Sequence, residues 1–249
     1  MTPDRPTLEV CVDTPAGLAA ALDNGADRIE LCSALALQGL TPLPGLMAQA
    51  ARASQPSYAM IRPREGDFVY GARDLDAMKR DIDAVRAAGL AGVVIGANRS
   101  SGELDVETLA VLIGHAAGLG MTLHRAFDLV PDFDAALETA IELGFERILT
   151  SGGARSAPEG IERLAALVAR AAGRISIMAG AGVKPDNVAD LIARTGVREV
   201  HGSCGGPARE GLGGGHADRG NALGFTPPGL RDTNPETVGR MAEVLRGLS

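Results

Sequence analysis

Residues 8–32, LEVCVDTPAGLAAALDNGADRIELC, contain one strand, one helix and a second strand, and their reading decides the fold. Leu8–Val12 is a short aliphatic run interrupted at every second position, by Glu9 and Cys11. Thr14-Pro15 then sets a capping hydroxyl before a proline at the first helical position. Gly25 stands where a helix ends in a left-handed residue, and Arg28–Leu31 resumes the aliphatic run. A strand, a helix and a strand joined this tightly form a right-handed crossover between parallel neighbours.

The unit recurs along the chain. Strands are expected at Leu8–Val12, Arg28–Leu31, Tyr58–Ile61, Gly92–Ile95, Met121–His124, Arg147–Thr150, Arg174–Met178 and Arg198–His201. Thr41-Pro42 and Asn234-Pro235 repeat the helix-start signal, and Gly89, Gly144 and Gly196 repeat the stop. Eight such units predict an α/β fold, a closed (β/α)8 TIM barrel occupying residues 1–249 as a single domain. Six would have suited an open doubly wound sheet. One irregular stretch, a glycine- and proline-rich loop at 204–233, precedes the last helix and reads as a lid or loose surface.

Composition narrows the function classes. The chain has 249 residues, 45% hydrophobic and 22% charged, so it can bury a sizeable core, and with aromatics at 3% that core must be aliphatic. A net charge of −7 without a basic stripe argues against a nucleic-acid partner. No apolar run approaches the roughly 20 residues a membrane helix needs. The start, MTPDRPTLEV, has no secretory signal pattern, so the three cysteines are expected to be reduced thiols in a cytoplasmic protein. Lys79 and Lys184 are the only lysines, and neither lies on a strand, which leaves no strand-borne Schiff-base lysine. A homo-oligomer stays open.

Parity along the strands locates a site. In a barrel the helix-facing side of each strand is apolar, so charged strand residues point into the lumen or to a rim. Glu9 and Cys11 share one face, as do Glu30 and Cys32, Met60 and Arg62, Thr122 and His124, and Glu199 and His201. One reading is a structural network in which Arg62 and the histidines satisfy the glutamates. The other is a functional site at the strands' C-terminal ends. There His124-Arg125-Ala126-Phe127-Asp128 and Ser151-Gly152-Gly153 follow strands five and six. Gly180-Ala181-Gly182 and Gly202-Ser203 follow strands seven and eight. Their backbone N–H groups could hold a phosphate or carboxylate, or the glycines could simply permit tight turns.

Cys11 and Cys32 lie on adjacent strands with matching parity. Two thiolates can hold Cu(I), whereas zinc prefers four ligands and no Cys-x-x-Cys is present. Equally, both can pack as small buried apolar groups. Cys204 lies in the loose loop.

Several motifs together resemble the CutC family of copper homeostasis proteins. They are Leu8-Glu9-Val10-Cys11, Gly25-Ala26-Asp27-Arg28-Ile29-Glu30-Leu31-Cys32, Gly39-Leu40-Thr41-Pro42, Ile61-Arg62-Pro63-Arg64, Gly66-Asp67-Phe68, Thr122-Leu123-His124-Arg125-Ala126-Phe127-Asp128, Leu149-Thr150-Ser151-Gly152, Met178-Ala179-Gly180-Ala181-Gly182-Val183 and Glu199-Val200-His201. The resemblance implies a cytoplasmic barrel concerned with copper, with Cys11 and Cys32 as its Cu(I) pair. Glu65 and Leu37-Gln38 depart from the family pattern, and Gly202–Thr233 follows none. The alternative is an enzyme (an isomerase, epimerase or lyase) acting on a small phosphorylated or carboxylated substrate. Glu30, His124 and Asp128 would then move protons, while Arg62, Arg125, Ser151, Gly180, Gly182, His201 and Ser203 bind the anion. A divalent metal on Glu9, Glu30, His124 and His201 is a third arrangement.

Overall fold

The computed structural model describes residues 5–206, 219–220, 222–224 and 231–248. Eight parallel strands close into a barrel in chain order: β1 (Thr7–Val12), β2 (Arg28–Leu31), β3 (Ser57–Met60), β4 (Gly92–Ile95), β5 (Gly120–Leu123), β6 (Arg147–Thr150), β7 (Ser176–Ala179) and β8 (Glu199–Gly202), with β8 paired to β1. The helices that follow them are α1 (Pro15–Asp23), α2 (Pro44–Ala50), α3 (Ala72–Ala88), α4 (Val106–His115), α5 (Phe133–Glu142), α6 (Ile161–Ala171), α7 (Val188–Thr195) and α8 (Pro235–Arg246). The expected TIM barrel is therefore present. Most of the 204–233 stretch lies outside the described residues, although its ends meet where Gly205 bridges Thr233.

The helix signals act as their chemistry predicts, with one exception. Thr14 Oγ1 accepts from Gly17 N at 3.0 Å, and Asn234 Oδ1 from Thr237 N at 2.9 Å. Gly25, Gly89, Gly144 and Gly196 all take positive φ, between 74° and 103°. Thr41 does not cap α2. Its hydroxyl accepts from Arg62 N and donates to Asp81, tying the β3 loop to α3, and the helix starts at Pro44. Strands β3, β5, β7 and β8 are displaced by one or two residues from expectation, and for two of them the cause is local. Strand β5 stops at Leu123 because His124 Nδ1 accepts from Ala126 N and starts a 3-10 turn. Strand β7 starts at Ser176 because Arg174 N still donates to Ala171 O and its guanidinium pairs with Glu138.

Alternation sorts the strand residues into two cores. Leu8, Val10 and Val12 are fully buried and pack in one apolar cluster with Leu18 and Ala21 of α1 and Val238 and Met241 of α8. Each such aliphatic side chain contributes about 1.5–3 kcal/mol. The lumen, in contrast, holds an ionic layer. Arg28 lies between two carboxylates, donating Nε to Glu9 and Nη2 to Glu199. Arg147 donates to Glu199 (3.1 Å), Thr122 (3.0 Å) and Glu146 (3.0 Å), and Tyr58 donates to Glu146 at 2.8 Å. Both guanidinium groups stack over the Tyr58 ring. Gly92 and Gly120 leave the space that ring occupies, since a Cβ on either would overlap it. Glu9, Glu146 and Glu199 are thus satisfied by Arg28 and Arg147, with His201 also on Glu9, whereas Glu30 keeps a buried oxygen without a partner and Arg62 takes no part.

Candidate functional site at the C-terminal mouth

Above the ionic layer the barrel opens into a cavity of about 1000 Å³, lined among others by Cys11, Glu30, Arg62, His124, Arg125, Asp128, Gly182, His201 and Ser203. Cys32, Ser151 and Gly180 do not line it. Most of the expected site residues therefore share one wall system at the strands' C-terminal ends.

Strands β1, β2 and β8 bring together Cys11, Glu30 and His201, whose ligand atoms lie within 4.8 Å of one another. His201 Nδ1 is 2.8 Å from Glu9 Oε1, so this nitrogen donates and Nε2 faces Glu30 Oε2 at 3.7 Å. Burial opposes charge on the imidazole, but Cys11, Glu30 and Glu9 around it outweigh that and raise its pKa well above the ordinary value. Burial also pushes Glu9 up. The Arg28 guanidinium and His201 pull it down further, to about 2. For Glu30 the pull of His201 and of the more distant Arg28 is weaker than burial. Burial dominates and its carboxyl is pushed up to about 7, with Oε1 buried and unpartnered.

The thiols are not equivalent. Register pairs Cys11 with Glu30, which places Cys32 one two-residue step further along β2. Cys32 Sγ lies 3.5 Å from Glu30 Oε2, within an apolar cluster with Tyr58, Met60 and Val94. Burial raises the pKa of both thiols, and that of Cys32 well above the usual value. Cys204, at the start of the loose loop, also lines the cavity, and burial lifts its thiol to about 12.

On the β3 to β6 side the geometry separates supporting residues from available ones. Asp128 is occupied: it accepts from Thr150 Oγ1, Ser151 N, Gly153 N and Arg125 Nε. It fixes the β6 loop, and Ser151 and Arg125 belong to the same knot, with 2.9 Å between their polar atoms. The Gly180 N–H is already given to Thr150 O, and a Cβ there would overlap Leu149. At that corner Gly182, with φ of 73°, and Ser203 remain on the cavity wall. Arg62 donates Nη1 to Leu37 O and Gly39 O and Nη2 to Gly66 O, leaving Nε buried without a partner. His124 accepts through Nδ1, so its proton is on Nε2, which is also buried and unpartnered. Burial, then Arg62, lowers its pKa to about 3, and the ring is neutral.

Sequence reasoning missed Arg28, Arg147, Gly96 and Lys184. Arg28 shares parity with Glu30 and Cys32, a signal obscured by its place at the strand's first residue. Gly96 follows β4 at lumen parity. Lys184 lines the cavity from beyond the β7 loop, where strand parity says nothing.

Comparison with known proteins agrees with this architecture. The chain is 64% identical over 253 residues to the family protein CutC of Caulobacter vibrioides, covering 100% of both, and 56% identical to that of Sinorhizobium medicae, covering 99% and 98%. A solved CutC structure from Streptococcus agalactiae, which carries a copper-homeostasis designation, superimposes with a TM-score of 0.77 at 32% identity, over 80% of this chain and 98% of that one. With the family model also matching residues 6–206, the chain belongs to the CutC family.

Proposed function

We propose that residues 1–249 form one cytoplasmic domain that works in copper homeostasis, as the designation of its streptococcal relative suggests, and takes up Cu(I) at the Cys11 wall of the cavity. The observation that carries this reading is the grouping of Cys11, Glu30 and His201 ligand atoms within 4.8 Å. The donor set fits. A thiolate selects Cu(I), and an imidazole whose other nitrogen is held by a carboxylate is the usual arrangement of a metal-ligating histidine. Glu30 Oε1 would gain the partner it lacks. Cys32 completes a thiol pair only if its sulfur turns away from Glu30. Zinc on the same donors is the divalent alternative; the expected set of Glu9, Glu30, His124 and His201 does not form one group among the described residues. Uptake displaces protons from Cys11 and His201, so affinity falls as pH falls.

The test is anaerobic Cu(I) titration against a competing chelator. Cys11→Ser and His201→Gln should weaken uptake strongly, and Cys32→Ser shows whether the second thiol takes part. Equal affinity in wild type and all three variants would overturn the copper reading.

A second reading, an enzyme acting on a small anionic substrate, draws on a different observation. Glu30, Arg62 and His124 line one cavity, and each carries a buried polar atom without a partner. In that case Glu30 and His124 are the proton-moving groups, with Asp128 holding the loop beside them. Gly182, Ser203, His201 and Arg125 border the anion.

A further inference from the structure

We propose that Arg62 and His124 form a receptor for the carboxylate of a small organic acid, separate from the Cys11 group on β1, β2 and β8. The proposal deepens the enzyme reading by naming the ligand class, and it does not depend on copper.

Register carries the argument first. Met60 pairs with Val94 across β3 and β4, and Ile95 with Leu123 across β4 and β5. Continuing those ladders sets Arg62, Gly96 and His124 side by side at one height. The middle position has no side chain, and a Cβ there would overlap the His124 imidazole. The ring therefore occupies the space over β4, on the side towards Arg62. Phe68 packs against both, its ring 4.7 Å from the imidazole centroid and 5.1 Å from the guanidinium carbon.

Charge carries it second. Arg62 is 5% exposed, and among the described residues no carboxylate lies within ion-pair distance of it. Three backbone carbonyls fix the guanidinium in place but do not neutralise it. A buried cation without a counter-ion is costly, and a bound anion removes that cost. His124 is 3% exposed and neutral, with Nε2–H as a donor. The two donor nitrogens that have no partner at all, Arg62 Nε on a cation and His124 Nε2 on a neutral ring, suit the two oxygens of a carboxylate. Dehydration by Phe68 strengthens both bonds. The ligand's body would lie against Met60 and Leu149, and a cavity of about 1000 Å³ accommodates a short acid.

The experiment is isothermal titration of the full chain with short monocarboxylates, 2-hydroxy acids, 2-oxo acids and dicarboxylates, with inorganic phosphate as the competing anion. His124→Asn keeps an acceptor for the Ala126 N–H and removes the Nε2 donor with the ring that carries it, leaving the Arg62 clamp intact, so it tests the receptor even if Arg62→Lys disturbs the loops that Arg62 clamps. At least one carboxylate should bind wild type and Cys11→Ser alike and bind roughly tenfold or more weakly to His124→Asn and Arg62→Lys. The idea is overturned if no carboxylate binds, if binding is unchanged in His124→Asn, or if phosphate binds more tightly than every carboxylate. Binding without turnover would count against the enzyme reading and leave the receptor standing.

Discussion

Replacing Arg28 with methionine removes a cation that contacts both Glu9 and Glu199. Glu9 is fully buried, so it cannot recover hydration when its partner is lost. Breaking a buried pair from one side typically costs about 3–5 kcal/mol. The acidity of Glu9 gives a separate measure. Its carboxyl falls from 4.5 to about 2 in the fold, which at about 1.4 kcal/mol per pKa unit corresponds to about 3 kcal/mol. A lowered carboxylate pKa stabilises the fold above the unfolded value of 4.5. That stability is lost as pH falls from there towards about 2. Arg28→Met should therefore lower Tm at pH 7 by roughly 10 °C, taking about 2–4 °C per kcal/mol for a chain of this size. It should also flatten the fall in Tm on acidification. Calorimetry from neutral to acidic pH measures both. Adding Glu9→Gln and Glu199→Gln to the same chain should restore much of the loss, because the two carboxylates that lost Arg28 are then neutral, while Arg147 keeps Glu146 and His201 keeps Glu30. A Tm within a degree of wild type for Arg28→Met, or no recovery in the triple variant, would refute the reasoning.

Glu30 behaves in the opposite sense. Its folded pKa is raised to about 7, so wild-type stability declines as pH rises from 4.5 towards 7. The Tm advantage of Glu30→Gln over wild type should grow across that window, and thermal scans that stay parallel would contradict it. Gly92→Ala places a methyl group against the Tyr58 ring and the Gly120 carbonyl, and urea unfolding should show a loss of about 1–3 kcal/mol from overpacking. Thr14→Ala removes the α1 cap and should lower the unfolding free energy read from urea titration by about 1 kcal/mol. Alkylation of the native chain, followed by mass spectrometry, should label Cys11 before Cys32, because Cys11 borders the cavity and Cys32 does not. Preferential labelling of Cys32 would be inconsistent with that wall.

The barrel was legible because its signals are local. A capping hydroxyl before a proline, a glycine at a helix end and alternation within four residues each act within a few positions. Parity also gave the lumen residues Glu9, Cys11, Glu30, His124, Glu199 and His201. It could not give height, which comes from the stagger between neighbouring strands. That is why matching parity left the relative height of Cys11 and Cys32 open, and the register sets them a two-residue step apart. Nor could it assign partners. Arg62 looked like a counter-ion for glutamates, but its reach to Leu37, Gly39 and Gly66 depends on how three loops fold back. Asp128 looked catalytic from its position in the loop motif, and only the conformation of the β6 loop shows its oxygens occupied.

The ionic layer also works against wrong answers during folding. Glu9 and Glu199 are 190 positions apart in the chain, and both must find Arg28 before the last strand can seat against the first. Sliding any of these strands by one residue would turn its charge outward among Leu8, Ile29 and Val200, where the helices offer only hydrocarbon. An all-aliphatic lumen would tolerate such a slip with modest loss. Here each misaligned closure strands a charge in oil, so the network acts as a checksum on the circle of strands and rejects rings that close one notch out of place.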